Sequence, residues 1–225
     1  AEPSSGHLQL ILHKLIELCS NPLWVLGVLG VAAFNFWLGS VAVWAPSFLH
    51  DVYAMKTETA DLWCGGCTVV TGVLGSALGG LALDKGVQRY GNKVSVGFGQ
   101  ISLAVFLSMP PLAVCFLIEH FPTFVGLFTL GELLLLFTVP ASSAIILWTV
   151  SPSSRPFSMS MSVIVGHLLG DVPSPIITGK VQDVVNRWHL TMLLLTSWLI
   201  FNLLTWGAGW LRCRAHPPID YLEPP

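Results

Sequence analysis

Residues 166–175 read Gly-His-Leu-Leu-Gly-Asp-Val-Pro-Ser-Pro, inside a stretch from about Phe157 to Gly179 that otherwise has the character of a membrane span. His167 and Asp171 are four residues apart, so on a helix they share one face. An ionisable side chain inside a bilayer costs at least ~2.5 kcal/mol on insertion scales, so it faces a protein interior or a watery cavity and marks a substrate or proton path. Pro173 and Pro175 lack amide hydrogens and crowd the preceding turn, which predicts a kink or unwinding just after Asp171. Discontinuous helices of this kind free backbone groups for ligands in transporters.

Outward from this stretch the chain is apolar. Of its 225 residues 53% are hydrophobic and 10% charged, with a mean hydropathy of +0.73, against roughly 25% charged in soluble domains. Apolar runs long enough to cross a ~30 Å hydrocarbon core extend from about Pro22 to Leu49, Leu62 to Leu83, Val94 to Ile118, Pro122 to Val150, Phe157 to Gly179 and His189 to Leu211. The expected fold is all-α: a polytopic membrane protein built as a six-transmembrane-helix bundle. Residues 1–21 read as a cytosolic linker, 22–212 as the bundle and 213–225 as a cytosolic tail. Pro110 and Pro111 are expected to bend the third span, and Pro140 the fourth.

Alternating ends place Lys14, Lys85, Arg89, Lys93, Arg155, Arg212 and Arg214 on one side and Lys56, Lys180 and Arg187 on the other. The excess of basic residues predicts that both termini are cytosolic. The formal net charge of −2 and the absence of a basic stripe argue against a nucleic-acid partner. Nothing near Ala1 has the charged start, apolar centre and small-residue site of a signal peptide.

The five cysteines, at 19, 64, 67, 115 and 213, do not make a disulfide framework. Cys64-Gly-Gly-Cys67 has redox or metal spacing but no second CxxC or His pair to complete a zinc site; close packing of small residues at a helix start is the preferred reading. No metal or cofactor is expected. No serine sits in a recognisable nucleophile turn, so His167 and Asp171 are not read as parts of a hydrolase, and the chain is not expected to be an enzyme.

Small residues recur at four-residue spacing. Gly72, Ser76 and Gly80 form one ridge in the second span, flanked by Gly75 and Gly79; Ser158, Ser162, Gly166, Gly170, Ser174 and Thr178 form another in the fifth. Such ridges let helices approach closely in lipid, and the second borders His167 and Asp171. Glu132, about ten residues into the fourth span, reaches a depth comparable to Asp171 at 1.5 Å per residue, so the two carboxyls are expected to share a cavity. Glu132, His167 and Asp171 are the candidate substrate- or proton-handling residues. Phe34, Trp37, Gly170 and Ser174 are the expected cavity lining, with Phe34 and Trp37 against an acyl chain.

After the second span the chain reads Gly80-Leu-Ala-Leu-Asp84-Lys85, then Gly-Val-Gln-Arg89-Tyr-Gly91-Asn-Lys93. This resembles the major facilitator superfamily signature after the second helix of each half, with a longer spacing from Asp84 to Gly91. Gly80, Asp84, Lys85 and Arg89, joined by Arg155, are therefore the candidate cytosolic gate. The segments Asn21-Pro-Leu-Trp-Val-Leu-Gly-Val-Leu-Gly, Trp44-Ala-Pro-Ser-Phe-Leu, Val69-Val-Thr-Gly-Val-Leu-Gly, Gly131-Glu132 and His167-Leu-Leu-Gly-Asp-Val-Pro-Ser-Pro look like the C-terminal half of spinster-family transporters of that superfamily. Val172-Pro173 replaces a small pair expected there, and Ser153-Ser154-Arg155 is less basic than the family's loop.

The resemblance implies that the six spans are helices seven to twelve of a twelve-helix transporter whose N-terminal half is absent from this chain. It implies export of lysophospholipids or sphingoid lipids such as sphingosine-1-phosphate by alternating access, in some members coupled to protons, in a lysosomal, late endosomal or plasma membrane. The competing expectation is a proton-coupled carrier of small polar solutes, sugars or organic anions, on the same fold. The few charges along the expected cavity favour a lipid.

Overall fold

The computed structural model describes residues 5–216; the outermost residues of the expected linker and tail lie outside the described residues. Six helical segments among them are long and apolar enough to cross a membrane: Pro22–Tyr53, Thr57–Tyr90, Lys93–Cys115, Phe121–Trp148, Pro152–Val185 and Trp188–Ala215. These are the six expected spans, most of them longer at their polar ends. Helix α1 (Ser5–Ser20) precedes them; α2 (Pro22–Tyr53), α3 (Thr57–Tyr90) and α4 (Lys93–Cys115) are continuous; α5 (Phe121–Leu136) and α6 (Val139–Trp148) make the fourth span. The fifth comprises a 3₁₀ turn (Pro152–Ser154), α7 (Arg155–Gly166), a π turn (His167–Asp171) and α8 (Ser174–Val185), and the sixth α9 (Trp188–Ser197) and α10 (Leu199–Ala215).

Helix α2 is the hub. It packs against α3, α10 and the whole fifth span, while α4 packs on α5, α6 and α10. Its start is fixed by Asn21, whose Oδ1 accepts from the Leu23 and Trp24 amides at 3.1 and 3.3 Å while its Nδ2 donates to the Thr149 carbonyl at 2.6 Å. One side chain thus caps α2 and ties it to the end of α6. At the other end of α2, Phe48, Tyr53, Phe116, Phe121, Phe124 and Phe128 form a continuous set of ring contacts in which edge-to-face pairs use the ring quadrupoles.

The breaks follow local chemistry, not always where proline predicts. Helix α4 runs from Lys93 to Cys115 through Pro110 and Pro111 without interruption, although each lacks the amide that would donate to the carbonyl four residues back. Pro140 instead opens α6 at its second position, where a missing amide costs nothing. The sixth span breaks at Trp198 without any proline. There Thr196 Oγ1 and Ser197 Oγ donate to the carbonyls of Met192 and Leu194 at 2.8 and 2.6 Å, a competition with the helix ladder that bends helices.

Two sequence expectations need correction. Helix α3 does not stop near Leu83 but continues to Tyr90, and ends where Gly91 takes φ 75°, a left-handed conformation that glycine adopts without steric cost. The tightly packed ridge of α3 is also one residue away from the expected one: Thr71, Gly75, Gly79 and Leu83 are buried, whereas Gly72 and Gly80 meet neighbours only at 3.9 and 4.0 Å. A Cβ at Gly75 would lie 2.8 Å from the Leu133 carbonyl oxygen, and one at Gly79 would collide with the Phe137 carbonyl. This is the side of α3 that meets α5, so its backbone must come closest there.

Candidate functional site

The fifth span lies against α2 along its small-residue ridge: Ser158, Ser162, Gly166, Gly170, Ser174 and Thr178 are all buried. Hydroxyls join the two elements along this seam. Trp24 Nε1 donates to Ser158 Oγ at 2.7 Å, Ser40 and Thr178 share a 2.9 Å hydrogen bond, and Trp44 Nε1 donates to the Pro175 carbonyl at 2.9 Å.

Midway along the seam the two prolines change the hydrogen-bond ladder. Pro173 has no amide to offer a carbonyl four residues back, and just before it the Val172 amide reaches to the His167 carbonyl at 3.0 Å, an i→i−5 bond that defines a π turn. Pro175 likewise leaves the Asp171 carbonyl without its helical donor, and Ser174 Oγ donates to that oxygen at 3.3 Å. The unwinding anticipated just after Asp171 is therefore a π turn that contains Asp171, with α8 resuming at Ser174. Such π turns are frequent at functional sites.

The turn carries the His167 and Asp171 side chains on its outer face, where they hydrogen-bond through His167 Nδ1 and an Asp171 carboxylate oxygen. The side chains are 59% and 36% exposed, so the pair opens away from the packed seam. On the inner side Asp171 lies over Gly39 of α2: a Cβ there would meet Asp171 Oδ1 at 3.2 Å. His167 also borders a cleft of about 160 Å³ between α2, α6 and α7, with Phe34, Asn35, Ser142, Ser143 and Ser162 on its walls. The hydroxyls, the Asn35 amide and the imidazole form a polar strip beside aliphatic walls, which suits a ligand with one polar and one apolar part.

The other expected residues lie elsewhere. Glu132 is fully buried between α3 and α5, with its carboxylate accepting from Thr68 Oγ1 at 2.6 Å and Thr71 Oγ1 at 3.0 Å. The structure thus separates it from the His167–Asp171 cleft, because the face of α5 that carries Glu132 turns toward α3. Trp37 is fully buried, with no hydrogen-bond partner for its Nε1 among the described residues, and Gly170 and Ser174 face α2. Of the four expected lining residues only Phe34 reaches the cleft.

The expected gate residues also fall into two groups. Gly80, Asp84, Lys85 and Arg89 sit on the last turns of α3, with Arg89 over the Tyr90 ring at 5.6 Å. Arg155 opens α7 and donates through Nε to the Leu147 carbonyl at 3.1 Å. Among the described residues no ion pair joins Asp84 to Arg155.

Sequence reasoning missed Asn35 and Gly39. Asn35 carried a usable signal, being a polar side chain in an apolar span. Gly39 did not, since only its approach to Asp171 distinguishes it. Cys64 and Cys67 are free thiols; Cys67 Sγ lies 3.4 Å from Thr129 Oγ1, and the glycines between them have open space around them.

No family model matches the chain. Individual relatives do. A probable sphingolipid transporter, spinster homolog 2 of Arabidopsis thaliana, is 35% identical over 199 residues, covering 88% of this chain and 40% of that protein. Spinster homolog 1 of Rattus norvegicus is 30% identical over 208 residues, covering 84% of this chain and 38% of that protein. The chain therefore spans about two fifths of the length of these relatives. Among solved structures, a bacterial homolog of the human lysosomal transporter Spinster, in an inward-facing and occupied conformation, superposes with a TM-score of 0.72 at 14% identity, over 86% of this chain and 50% of that one. At this identity and coverage the chain belongs to the spinster family, and its helices share the fold of the bacterial Spinster homolog.

Proposed function

We propose that this chain is the C-terminal half of a sphingolipid or lysophospholipid transporter, and that the His167–Asp171 pair is the polar element its wall presents to substrate headgroup or proton. The observation that carries the reading is the π turn. It holds an ionisable pair on the open face of a span, about 14 residues or roughly 21 Å from the end of that span at Val185, where lipid alone would make such groups costly. The relatives named as sphingolipid transporters support a substrate of that class.

The mechanism then follows from two halves rocking about a site at their interface. With the N-terminal half in place, the outer face of the π turn borders the central cavity. The cleft beside His167 receives part of the lipid: Phe34 and Val163 contact hydrocarbon, while Asn35, Ser142 and Ser162 meet its polar part. The hydroxyl seam along α2 stays closed and keeps the turn in register. Glu132 acts differently, as a carboxylate held by Thr68 and Thr71 that joins α3 to α5. Asp84, Lys85 and Arg89, on the extended end of α3, form the basic end of the half and serve the cytosolic gate together with Arg155.

The test is flux. In liposomes holding the protein completed by its N-terminal half, labelled sphingosine-1-phosphate and lysophospholipid should cross, and Asp171→Asn should abolish that flux at normal expression. Normal flux in the variant would remove the carboxylate from the mechanism. Repeating the measurement with and without a pH gradient decides whether protons move with the lipid.

A further inference from the structure

A groove of about 700 Å³ runs along α4 on a different part of the surface from the His167 cleft. Its lining changes character in one direction. At the end where α3 meets α4 it is bounded by Tyr90, Asn92 and Ser95, and by Arg214 from the last turn of α10. Further along α4 the walls are Leu103 and Leu107, with Phe137 opposite; Leu103 and Leu107 are 59% and 47% exposed. Among the described residues no acidic side chain lines the groove. Arg214 lies over the Trp210 ring at 5.1 Å, and both residues form part of the wall.

The dimensions match one leaflet. From Asn92 to Leu107 the groove follows α4 for about 22 Å at 1.5 Å per residue, and half of a 40–45 Å bilayer, headgroups included, is about the same. Polar and basic groups thus stand at headgroup depth and bare aliphatic walls at acyl-chain depth. We propose that this groove is a binding site for a single anionic phospholipid of the surrounding membrane, distinct from the transported lipid. Its headgroup rests on Arg214, Tyr90 and Ser95, and an acyl chain lies along Leu103 and Leu107. The charge selects the occupant: a mouth that carries Arg214 and, among the described lining residues, no carboxylate favours an anionic headgroup over a zwitterionic one. The same end carries Arg89 and Lys93, as expected for the face toward the anionic leaflet.

The protein completed by its N-terminal half, reconstituted in nanodiscs of equal phosphatidylserine and phosphatidylcholine, tests this by native mass spectrometry of the lipid retained on release. The wild type should retain phosphatidylserine preferentially, and Arg214→Glu should reduce that preference at least about fivefold, whereas Arg187→Glu at the opposite membrane face should leave it unchanged. Equal retention of both lipids by the wild type, or an unchanged preference in Arg214→Glu, overturns the proposal. A photoactivatable phosphatidylserine on the wild-type protein gives a readout that needs no variant: cross-links should map to 103–107, and their absence from α4 would refute the site.

Discussion

Gly170 rests on Ala32 so closely that a Cβ at this position would lie 2.7 Å from the Ala32 carbonyl oxygen and 2.7 Å from Asn35 Cβ. Both are on the rigid backbone side of α2, so neither can yield as the tip of a long side chain would. Gly170→Ala should therefore destabilise the protein by about 1–3 kcal/mol, the range for overpacking, and Gly170→Leu by more. Melting in detergent checks this; an unchanged profile in the leucine variant would refute the close contact between the π turn and α2.

The neighbouring pair should behave in the opposite way. His167 and Asp171 are exposed on the outer face of the turn, and exposed ion pairs contribute about 0–1 kcal/mol. Asp171→Asn and His167→Gln should each leave the melting profile almost unchanged while suppressing lipid flux. A variant that loses stability and flux together would assign the pair a structural role instead.

Glu132 is a matter of stability. Its carboxylate holds two hydroxyls of α3, and interhelical hydrogen bonds in membranes contribute on average ~0.6 kcal/mol each, at most ~1.7. Glu132→Ala should cost about 1–3 kcal/mol, and Glu132→Gln, which keeps one acceptor oxygen, clearly less. Thermal stability of the two variants separates the cases: equal losses would mean that the hydroxyl contacts contribute little.

Helix α10 is tied to α2 by Asn202 Nδ2, which donates to the Gly30 carbonyl at 2.6 Å, and by Trp206 Nε1, which donates to Gly27 at 3.1 Å. Asn202 Oδ1 has no partner among the described residues, so Asn202→Leu removes a buried orphan acceptor along with the bond, and the two effects offset. The expected loss is below about 1 kcal/mol. Trp206→Phe also vacates indole volume at a fully buried position and should cost more. The order of the two melting temperatures is the check.

Gly66 and Gly79 lie on one helix and should respond with opposite signs to alanine. Nothing approaches a Cβ at Gly66, whereas one at Gly79 would collide with Phe137. Gly66→Ala should be neutral or stabilising by up to about 1 kcal/mol from helix propensity, and Gly79→Ala destabilising. Matching melting curves for the two would contradict the α3–α5 packing.

The spans were legible because hydropathy and length dictate them in a bilayer, and the break near Asp171 because proline removes specific donors. The break at Trp198 was not, since it arises from two hydroxyls turning back on their own helix, which no single residue type announces. The small-residue ridge of α3 was read one residue out of phase: glycines at 72, 75, 79 and 80, with Ser76 among them, offer several equivalent stripes, and only the position of α5 selects Gly75 and Gly79. Glu132 was expected to share a cavity with Asp171 but bonds Thr68 and Thr71 of α3 instead, for counting residues along a helix says nothing of facing, which depends on the neighbours that pack around it.

The wider turn at 167–171 has a consequence for rotational phase. In a regular helix four residues turn about 400°, so a stripe at strict four-residue spacing drifts about 40° per step and about 200° over the five steps from Ser158 to Thr178. Yet all six positions remain against α2. The π turn advances less per residue and, with the break that follows, returns much of that drift, so the fifth span bends without rolling. Deleting one residue within 168–172 would let the turn close to regular helix and leave the phase beyond it nearly unchanged, whereas deleting one residue between 174 and 178, where no wider turn absorbs it, would rotate everything beyond by about 100°. The second deletion would carry Thr178 away from Ser40 and turn other faces of α8 toward the seam.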